Sequence, residues 1–368
     1  MDRLILELYR THGVELLKER GLFAPGHPDP VATTWVLSFQ KIEQANPAAA
    51  ELLRFCAFLH PDSIPEELIT EGASELGPVL GPVAGNALFF NRAIGEILKF
   101  SLIHRDMPTQ TLEIHRLVQA IILESLNDEA RKQWIERFIR TMNRLLPDVK
   151  FETWAKCARL LLQAQHCAAL ILARNLHLQE GARVLNQTAF YFYERARYAQ
   201  AEPLYQRALA IREEALGPTH PDVATSLNNL GELNRSQGKS AKAEPLYQRA
   251  LAIREEALGP THFQVALSLN NLAALYNNQG QDPDAEPLYQ RALAIREEVW
   301  ALTHPDVAQS LNNLGMLYIN QRQYAEAKPL LQRALDICEE ILGPEHPNTQ
   351  TVRGNYEGLL KKMEGEKD

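Results

Sequence analysis

A segment of 20 residues recurs along the second half of the chain and constrains its fold more than any other feature. AEPLYQRALAIREEALGPTH occupies residues 201–220 and returns unchanged 42 positions later, at 243–262. Related segments follow at the same spacing, at 285–304 with four changes and at 327–346. A fixed period of this length is typical of a solenoid, in which each unit buries its apolar face only against its neighbours. We therefore expect a stack that presents surfaces to partners.

Each unit contains two predicted helices. In the first helix of one unit, Leu227, Leu230 and Gly231 follow the spacing i, i+3, i+4, which predicts one buried face. In the second helix, Tyr247 and Ala250 share a face. Small residues let two helix backbones approach closely, and the aromatic ring fills the space beside them. The pattern therefore predicts a pair of tightly packed helices in every unit.

The pattern L-G-x-x-Y followed by A-x-x-x-Y-x-x-A resembles the tetratricopeptide repeat. The period of 42 is similar to that of kinesin light chain repeats and their bacterial relatives, whereas the common period is about 34. The resemblance covers roughly residues 182–360. It implies a mainly α fold for this half: an α-α superhelical solenoid of four repeats over 182–346, then a capping helix and tail over 347–368.

The joints between the helices carry start and stop signals. Thr219 lies three residues before Asp222, which predicts a capping box with threonine as the N-cap residue. Gly217-Pro218 predicts the end of a second helix. The third copy lacks this pair, so there we expect the helix to run on or Trp300 to cover a local gap. We expect one proline per unit in the first turn of the second helix, where a missing N–H costs little. These prolines are Pro203, Pro245, Pro287 and Pro329.

The first helices carry the candidate binding site. In tetratricopeptide stacks the first helices line the concave side, so the resemblance places a pair of asparagines from each repeat in a groove. An amide both donates and accepts, so a ladder of amides can hold the backbone of an extended peptide. Kinesin light-chain grooves bind short acidic-aromatic peptides in this manner. The candidate groove residues are Asn228, Asn229, Asn270, Asn271, Asn312, Asn313 and Arg235.

Two alternatives to this groove stay open. Recurrence of the asparagines is also explained by recent duplication, because asparagine is harmless on a solvated helix face. Arginines of the second helices either add charge to the groove or pair with acids of the Glu213 type. These arginines are Arg207, Arg249, Arg291 and Arg333.

The first half of the chain is not repetitive and mixes helices with short strands. Helical spacing over 33–58 is interrupted at Asn46. Two short runs within 101–114 flank a turn and predict a β-hairpin. Helices followed by a hairpin indicate a winged-helix-like module, which we assign to 31–126, with a helical connector at 127–181. The other predicted helices cover 65–71, 86–100, 115–126 and 128–146.

Four short segments of this half occur in an order that is similar to the C-terminal end of a bacterial NB-ARC signalling ATPase. They are 36–39, 53–62, 64–68 and 114–119. On this resemblance, residues 1–30 are the remnant of a preceding helical region. His115 matches the histidine of the family's Met-His-Asp motif, which touches the diphosphate of bound ADP. Here Arg116 replaces the acid, and a helix cap or a packed ring is the structural alternative for His115.

No GxxxxGK[ST] segment occurs in the chain, so no loop for nucleotide phosphates is predicted. We therefore expect no enzyme activity and no cofactor, with ADP or ATP as ligands only if a separate domain supplies that loop. The leading interpretation is a non-enzymatic protein-interaction scaffold in a signalling assembly. The alternative is a truncated or split nucleotide-switched NB-ARC ATPase, in which a nucleotide-binding domain is a partner.

Composition argues against other partners. The net charge is −8, and residues 31–125 contain six basic against eleven acidic side chains, which opposes binding of a polyanion. A transcriptional regulator is therefore only a third hypothesis. No apolar run approaches the ~18 residues of a membrane span. The four cysteines are scattered, which predicts reduced thiols and a cytoplasmic protein.

Overall fold

The computed structural model describes residues 31–300 and 302–365. It separates into two compact units that divide between Arg195 and Ala196. The remnant assigned to 1–30 lies outside the described residues. The other domain limits, at 126/127, 181/182 and 346/347, stay predictions. Each unit is built from helices, and the first unit also contains a small sheet.

The first unit packs its helices around α2. Leu52, Leu53 and Phe55 of α2 are completely buried. The predicted break at Asn46 is confirmed, because its Oδ1 accepts from the backbone N–H of two residues in the next turn and so caps α2. The helices are α1 (Val31–Ala45), α2 (Pro47–Ala57), α3 (Glu66–Thr70), α4 (Gly77–Ala84), α5 (Ala87–Leu98), α6 (Arg116–Ser125), α7 (Asp128–Leu145), α8 (Trp154–Ala173) and α9 (Gln179–Glu194).

The sheet has three antiparallel strands in the order β1-β3-β2. β2 (Ile103–Asp106) and β3 (Thr111–Ile114) form the predicted hairpin. The sequence did not predict β1 (Ile64–Pro65), which pairs with β3 and adds a third strand. Arg105 of β2 makes two hydrogen bonds to the Glu66 carboxylate, at 2.6 and 2.7 Å, and so ties the hairpin to the start of α3.

α8 is fastened to the loop between α2 and β1 by a buried amide. Gln163 is completely buried, its Oε1 accepts from the N–H of His60 at 2.9 Å, and its Nε2 donates to the carbonyl of the same residue at 3.0 Å. One turn later, His166 Nε2 lies 3.1 Å from the carbonyl oxygen of Phe58. The backbone of the loop therefore finds its partners on the helix.

The second unit is a solenoid of consecutive helix pairs, as the period predicts. Each helix packs against the next, and first helices of neighbouring repeats also touch each other. The last helix closes the stack by burying Val352 and Leu359. The helices are α10 (Tyr198–Leu216), α11 (Pro221–Ser236), α12 (Ser240–Leu258), α13 (Phe263–Asn278), α14 (Asp282–Val299), α15 (Pro305–Asn320), α16 (Tyr324–Ile341) and α17 (Pro347–Gly365).

The glycine of the first helix is explained by close packing. A Cβ added at Gly231 would lie 2.7 Å from Cε1 of Tyr247, and one added at Gly315 would lie 2.8 Å from Cγ of Leu331. Tyr247 and Leu331 are completely buried. The close approach of the two helices predicted from the repeat pattern is therefore present.

The sequence predicted the wrong residue as the N-cap of the first helices. The N-cap of α11 is His220, not Thr219, and His220 Nδ1 accepts from the N–H of Asp222 at 3.1 Å. A residue before proline is driven to extended backbone, and that conformation is the one an N-cap needs. His220 precedes Pro221 and has φ −74° and ψ 142°. The same cap recurs at His262, His304 and His346, and since Phe263 follows His262, the proline favours this cap but is not required for it.

The position predicted for the second-helix prolines was also wrong. In every repeat the proline is the sixth residue of the helix, inside it rather than in its first turn. Such a proline removes the hydrogen bond to the carbonyl four residues earlier. All four prolines are exposed, so the unpaired carbonyl is within reach of water.

The second helices end as predicted in most copies. Gly217, Gly259 and Gly343 have φ between 84° and 89°, a region that favours glycine. In the third copy the helix does not run on, because α14 ends at Val299. Instead Trp300 packs against an apolar cluster, which is the second of the two expectations.

Candidate functional site

The candidate site is a face made by three adjacent first helices. We define the first-helix face as the residues at i, i+4 and i+7 that remain half-buried or exposed on these helices. They are Thr225, Asn229 and Glu232 on α11, Leu267, Asn271 and Ala274 on α13, and Gln309, Asn313 and Met316 on α15. Since α11 touches α13 and α13 touches α15, the second asparagine of each pair occurs at equivalent points of a continuous surface.

The first asparagines mostly serve the packing between repeats. Asn228 and Asn270 are only 3% and 4% exposed. Asn228 Nδ2 donates to Ser268 Oγ at 3.0 Å, and Asn270 Nδ2 donates to Ser310 Oγ at 3.1 Å. The structure therefore gives these two amides a partner in the following repeat.

Asn312 differs from the other two first asparagines. It is half-buried, and its Oδ1 accepts from Asn355 of the capping helix at 2.9 Å. The residue equivalent to Ser268 is here Val352, so the serine partner is missing.

The second asparagines lie at the surface of the stack. Asn229, Asn271 and Asn313 are all half-buried. Asn313 Nδ2 donates to Asn270 Oδ1 at 3.4 Å, which links the surface amide to the buried one in the repeat before. The predicted binding of a peptide by these amides stays a prediction.

Arg235 forms an ion pair within its own helix. Its Nε donates to Glu232 Oε2 at 3.0 Å. Tyr247 donates its hydroxyl to the same carboxylate at 2.8 Å. Burial and the neighbouring Glu232 carboxylate raise the pKa of the Tyr247 hydroxyl, so it remains a donor. The charge of Arg235 is therefore balanced by Glu232 at this end of the face.

Sequence reasoning missed two buried arginines beneath the face. Arg254 is 2% exposed, and its guanidinium donates to Ser268 Oγ at 2.9 Å and to Thr225 Oγ1 at 3.2 Å. Arg296 is 3% exposed and donates to Ser310 Oγ at 2.9 Å. Among the described residues, no carboxylate forms an ion pair with either guanidinium. Burial lowers the pKa of Arg254 to about 10, which leaves it charged at neutral pH.

The last copy contains the signal that could have revealed these arginines. Positions one period after Arg296 and Ser310 hold Cys338 and Val352, so the pair changes together where the array ends. Joint replacement of two polar residues by smaller or apolar ones indicates that they contact each other.

Three of the four second-helix arginines pair with acids, as one of the two alternatives predicts. Arg249 reaches Glu213 of the preceding second helix at 2.7 Å. The same ion pair recurs at 2.6 Å in the next two repeats, as Arg291–Glu255 and Arg333–Glu297. Such exposed pairs each contribute about 0.2–1 kcal/mol.

His115 has a local structural role. Its Nδ1 accepts from the N–H of Leu117 at 3.2 Å and caps α6. The imidazole is exposed and lies 5.8 Å from the Trp35 ring, centroid to centroid. The structure thus contains both structural alternatives for this residue, and nucleotide sensing stays a prediction.

The described residues contain neither a metal site nor a membrane-spanning candidate. No three His, Cys, Asp or Glu side chains converge in this part of the chain, and the repeated histidines act as helix caps. Over the same residues, no helix combines the length and apolarity needed to span a bilayer.

Comparison with family models identifies the repeats. The tetratricopeptide repeat model matches residues 182–256 and 237–298, and a second tetratricopeptide repeat model matches 307–348. These are tetratricopeptide repeats. A model described as a domain of unknown function (DUF7779) matches 40–131, which includes the sheet and its flanking helices. The tetratricopeptide solenoid predicted from the sequence is therefore confirmed.

A curated relative is described as a nucleotide-binding leucine-rich repeat (NLR)-like protein from Hyaloscypha variabilis. It is 30% identical over 203 residues, which are 54% of this chain and 19% of the relative. The aligned part of the chain thus spans about a fifth of the length of that relative.

Two solved structures resemble the chain in fold. One is a Podosopora anserina protein described as a kinesin light chain with nearly identical TPR-like repeats, at 24% identity and a TM-score of 0.43. The alignment covers 50% of this chain and 88% of that one. The other is BtubC (BKLC) from P. vanneervenii, at 25% identity and a TM-score of 0.41, covering 58% of this chain and 94% of that one. Both TM-scores lie below 0.5, so neither likeness supports a statement about function.

Proposed function

We propose that the chain is a non-enzymatic scaffold for protein-protein interactions in a signalling assembly. The observation that carries this proposal is the first-helix face, where Asn229, Asn271 and Asn313 occur at equivalent positions on adjacent helices. A row of amides at a regular spacing suits the regularly spaced backbone groups of an extended partner segment. Arg235, at the Glu232 end of the face, is a further candidate contact.

The charges beneath the face favour a partner segment that carries carboxylates. Arg254 and Arg296 bring two buried positive charges close to the face, and among the described residues neither forms an ion pair, although the Asp306 carboxylate acts on Arg296 from a distance. Arg254 donates directly to Thr225, a residue of the face. A buried charge acts over a longer range than an exposed one, because solvent screens it less. An acidic segment would therefore be attracted to the middle of the face.

A peptide selection tests this function. A displayed library of peptides of about 12 residues is selected on the full chain, and the affinity of a selected peptide is measured by fluorescence anisotropy. We expect the variant Asn229→Ala/Asn271→Ala/Asn313→Ala to bind that peptide at least about ten-fold more weakly.

A matched control removes three exposed amides of the same period from the second helices. It is the variant Gln206→Ala/Gln248→Ala/Gln290→Ala, which should bind the peptide as the parent chain does. Equal losses in the two variants, or a library that yields no binder, would contradict the proposal. Circular dichroism of both variants checks that the helices persist.

The NLR-like relative favours a second role for the first unit. In this role residues 31–126 act as a winged-helix-like module that couples the scaffold to a nucleotide-binding domain or partner, and His115 senses the nucleotide. ADP or ATP would bind only when that domain supplies the phosphate loop. Calorimetry of the full chain with ADP alone should therefore show no heat of binding, whereas micromolar binding would contradict this division of labour.

The cytoplasm is the proposed location. All four cysteines are buried free thiols, which is typical of a reducing compartment. Burial raises the pKa of the Cys56 thiol to about 12 and also raises that of Cys167, so neither thiol forms a reactive thiolate readily.

A further inference from the structure

The first unit contains a cavity that neither proposed role uses. Its volume is about 270 Å³, and its lining comes from α1, α2, α6 and the start of β2. Trp35 and Phe39 contribute aromatic rings from α1, and Val118, Ile121 and Ile122 contribute aliphatic side chains from α6. Eight of its twelve lining residues are apolar, which is the composition of a small-molecule site rather than of a surface dimple.

Contacts with neighbouring side chains hold the two aromatic rings of the cavity in place. The Trp35 ring contacts the ring of His115, which is itself fixed as the cap of α6. The Phe39 ring lies 5.0 Å below the guanidinium of Arg54, and that guanidinium pairs with Glu43 at 2.5 Å. Because both rings are anchored, the two aromatic walls of the cavity stay in place.

The charges in the lining define the ligand as uncharged. Glu43 and Arg54 are the ionisable residues of the lining, and they neutralise each other in the ion pair. An ionised ligand would lose its hydration here without gaining a partner of opposite charge. Within the described residues Gln40 makes no hydrogen bond, so its amide can meet one polar group of a ligand. Ser125 instead donates to the carbonyl of Ile122 at 2.7 Å.

The volume sets the size of the ligand. An apolar cavity of roughly 150 Å³ takes up one benzene ring, so a volume of about 270 Å³ suits two fused rings. We propose that this cavity binds an uncharged, flat apolar molecule of about that size, whose hydroxyl or carbonyl group meets Gln40. A ligand with so few atoms has a dissociation constant on the order of 10–500 µM.

The test uses 2-naphthol as the probe and the full chain as the receptor. Calorimetry and the fluorescence of 2-naphthol should show saturable binding to one site. The matched probe 2-naphthalenesulfonate has the same rings and a fixed negative charge, and it should bind at least about ten-fold more weakly. Absence of saturable 2-naphthol binding at about 1 mM, or equal affinity for the two probes, would overturn the proposal.

Two variants locate the bound probe. Ile121→Trp fills the cavity from a half-buried position, and Val36→Glu places a carboxylate at its exposed rim without touching the core. Each should weaken 2-naphthol binding at least about ten-fold. Ile341→Trp is the control, because Ile341 is 49% exposed in the other unit and should leave binding unchanged. If Ile121→Trp fails to fold, Val36→Glu decides alone, and unaltered binding in it places the probe elsewhere.

Discussion

The Arg254 guanidinium donates to Ser268 Oγ at 2.9 Å, and one repeat later the Arg296 guanidinium donates to Ser310 Oγ at the same distance. Each serine also accepts from the asparagine of the preceding first helix, so three buried polar groups join each pair of repeats. Buried polar groups stabilise an interface only while all of them keep their partners.

Removing two members of such a triad together should cost less than the two separate removals added up. Ser268→Val leaves the Arg254 guanidinium and the Asn228 amide short of a partner, so we expect unfolding to become easier by about 2–4 kcal/mol. The double variant Arg254→Cys/Ser268→Val copies the residues found at the end of the array. It should lose at least about 1 kcal/mol less than the sum of the two single variants. Urea unfolding followed by circular dichroism measures all three.

A control cycle pairs Ser268→Val with Arg249→Cys. Arg249 bonds Glu213 and Pro218 rather than Ser268, so these two effects should add. Additivity in the Arg254 cycle as well would contradict the coupling.

Gly231→Ala should destabilise the second unit by about 1–3 kcal/mol. The new Cβ would lie 2.7 Å from the Tyr247 ring, and Tyr247 cannot turn aside freely because its hydroxyl bonds Glu232. In a Glu232→Ala background the ring is released, so the same substitution should cost less. Thermal unfolding of the four chains gives the difference, and an equal cost in both backgrounds would refute this reason.

The third repeat already contains the relaxed arrangement. Ala273 and Ala274 stand at the positions of Gly231 and Glu232. Tyr289, the equivalent of Tyr247, is 2% exposed there beside the alanine Cβ. This repeat of the same chain therefore serves as an internal reference for the double variant Gly231→Ala/Glu232→Ala.

The stability of the first unit should fall as the pH drops below about 6.5. Burial lowers the pKa of His166, and the neighbouring His60 lowers it further, so the unfolded chain takes up a proton more readily than the folded one. The loss begins at the unfolded pKa and is complete below the folded one. Melting temperatures between pH 7.5 and pH 5 test this, and His166→Phe should flatten the dependence. The exposed His104 is the control, since His104→Phe should leave the slope as it was.

Gln163→Leu should weaken the first unit by about 2–4 kcal/mol, because it leaves the half-buried N–H and carbonyl of His60 without their partner. Gln133→Leu is the matched control on the exposed side of α7, and we expect a change of less than about 0.5 kcal/mol. Unfolding can be followed by tryptophan fluorescence, to which Trp35, Trp134 and Trp154 of this unit contribute. A Gln163→Leu variant as stable as the control would show that the buried amide does not stabilise the first unit.

Local signals in the sequence predicted the helices well where one interaction decides the outcome. Asn46 has no competing role and caps α2, and the turn between β2 and β3 closes the predicted hairpin. β1 escaped prediction because two residues are too short for any alternation to be visible. At the start of α11 the sequence predicted a cap by Thr219, but His220 takes that role, and the same histidine cap forms at His262 although Phe263 rather than proline follows it.

The candidate site was harder to predict because copying erases information. When every position recurs, a buried asparagine such as Asn228 cannot be told from a surface one such as Asn229 by recurrence alone. Only a copy that departs from the others, here the one with Cys338 and Val352, distinguishes residues that pack between repeats from residues that lie at the surface. The sequence predicted that the first helices of successive repeats are neighbours. It did not predict which asparagine of each pair is buried and which lies at the surface.

Each serine-centred contact reaches one neighbouring repeat and no farther, and the arginine-to-serine distance is 2.8–2.9 Å at three successive junctions, from Arg212, Arg254 and Arg296. A whole 42-residue unit inserted between α12 and α13, or deleted there, would therefore regenerate the serine-centred bonds at the new seams. Unequal crossing-over between the nearly identical stretches of the gene would thus lengthen or shorten the array in complete units while the apolar terminal junction stays intact. Array length is consequently a trait that selection can vary while the serine-centred contacts stay the same.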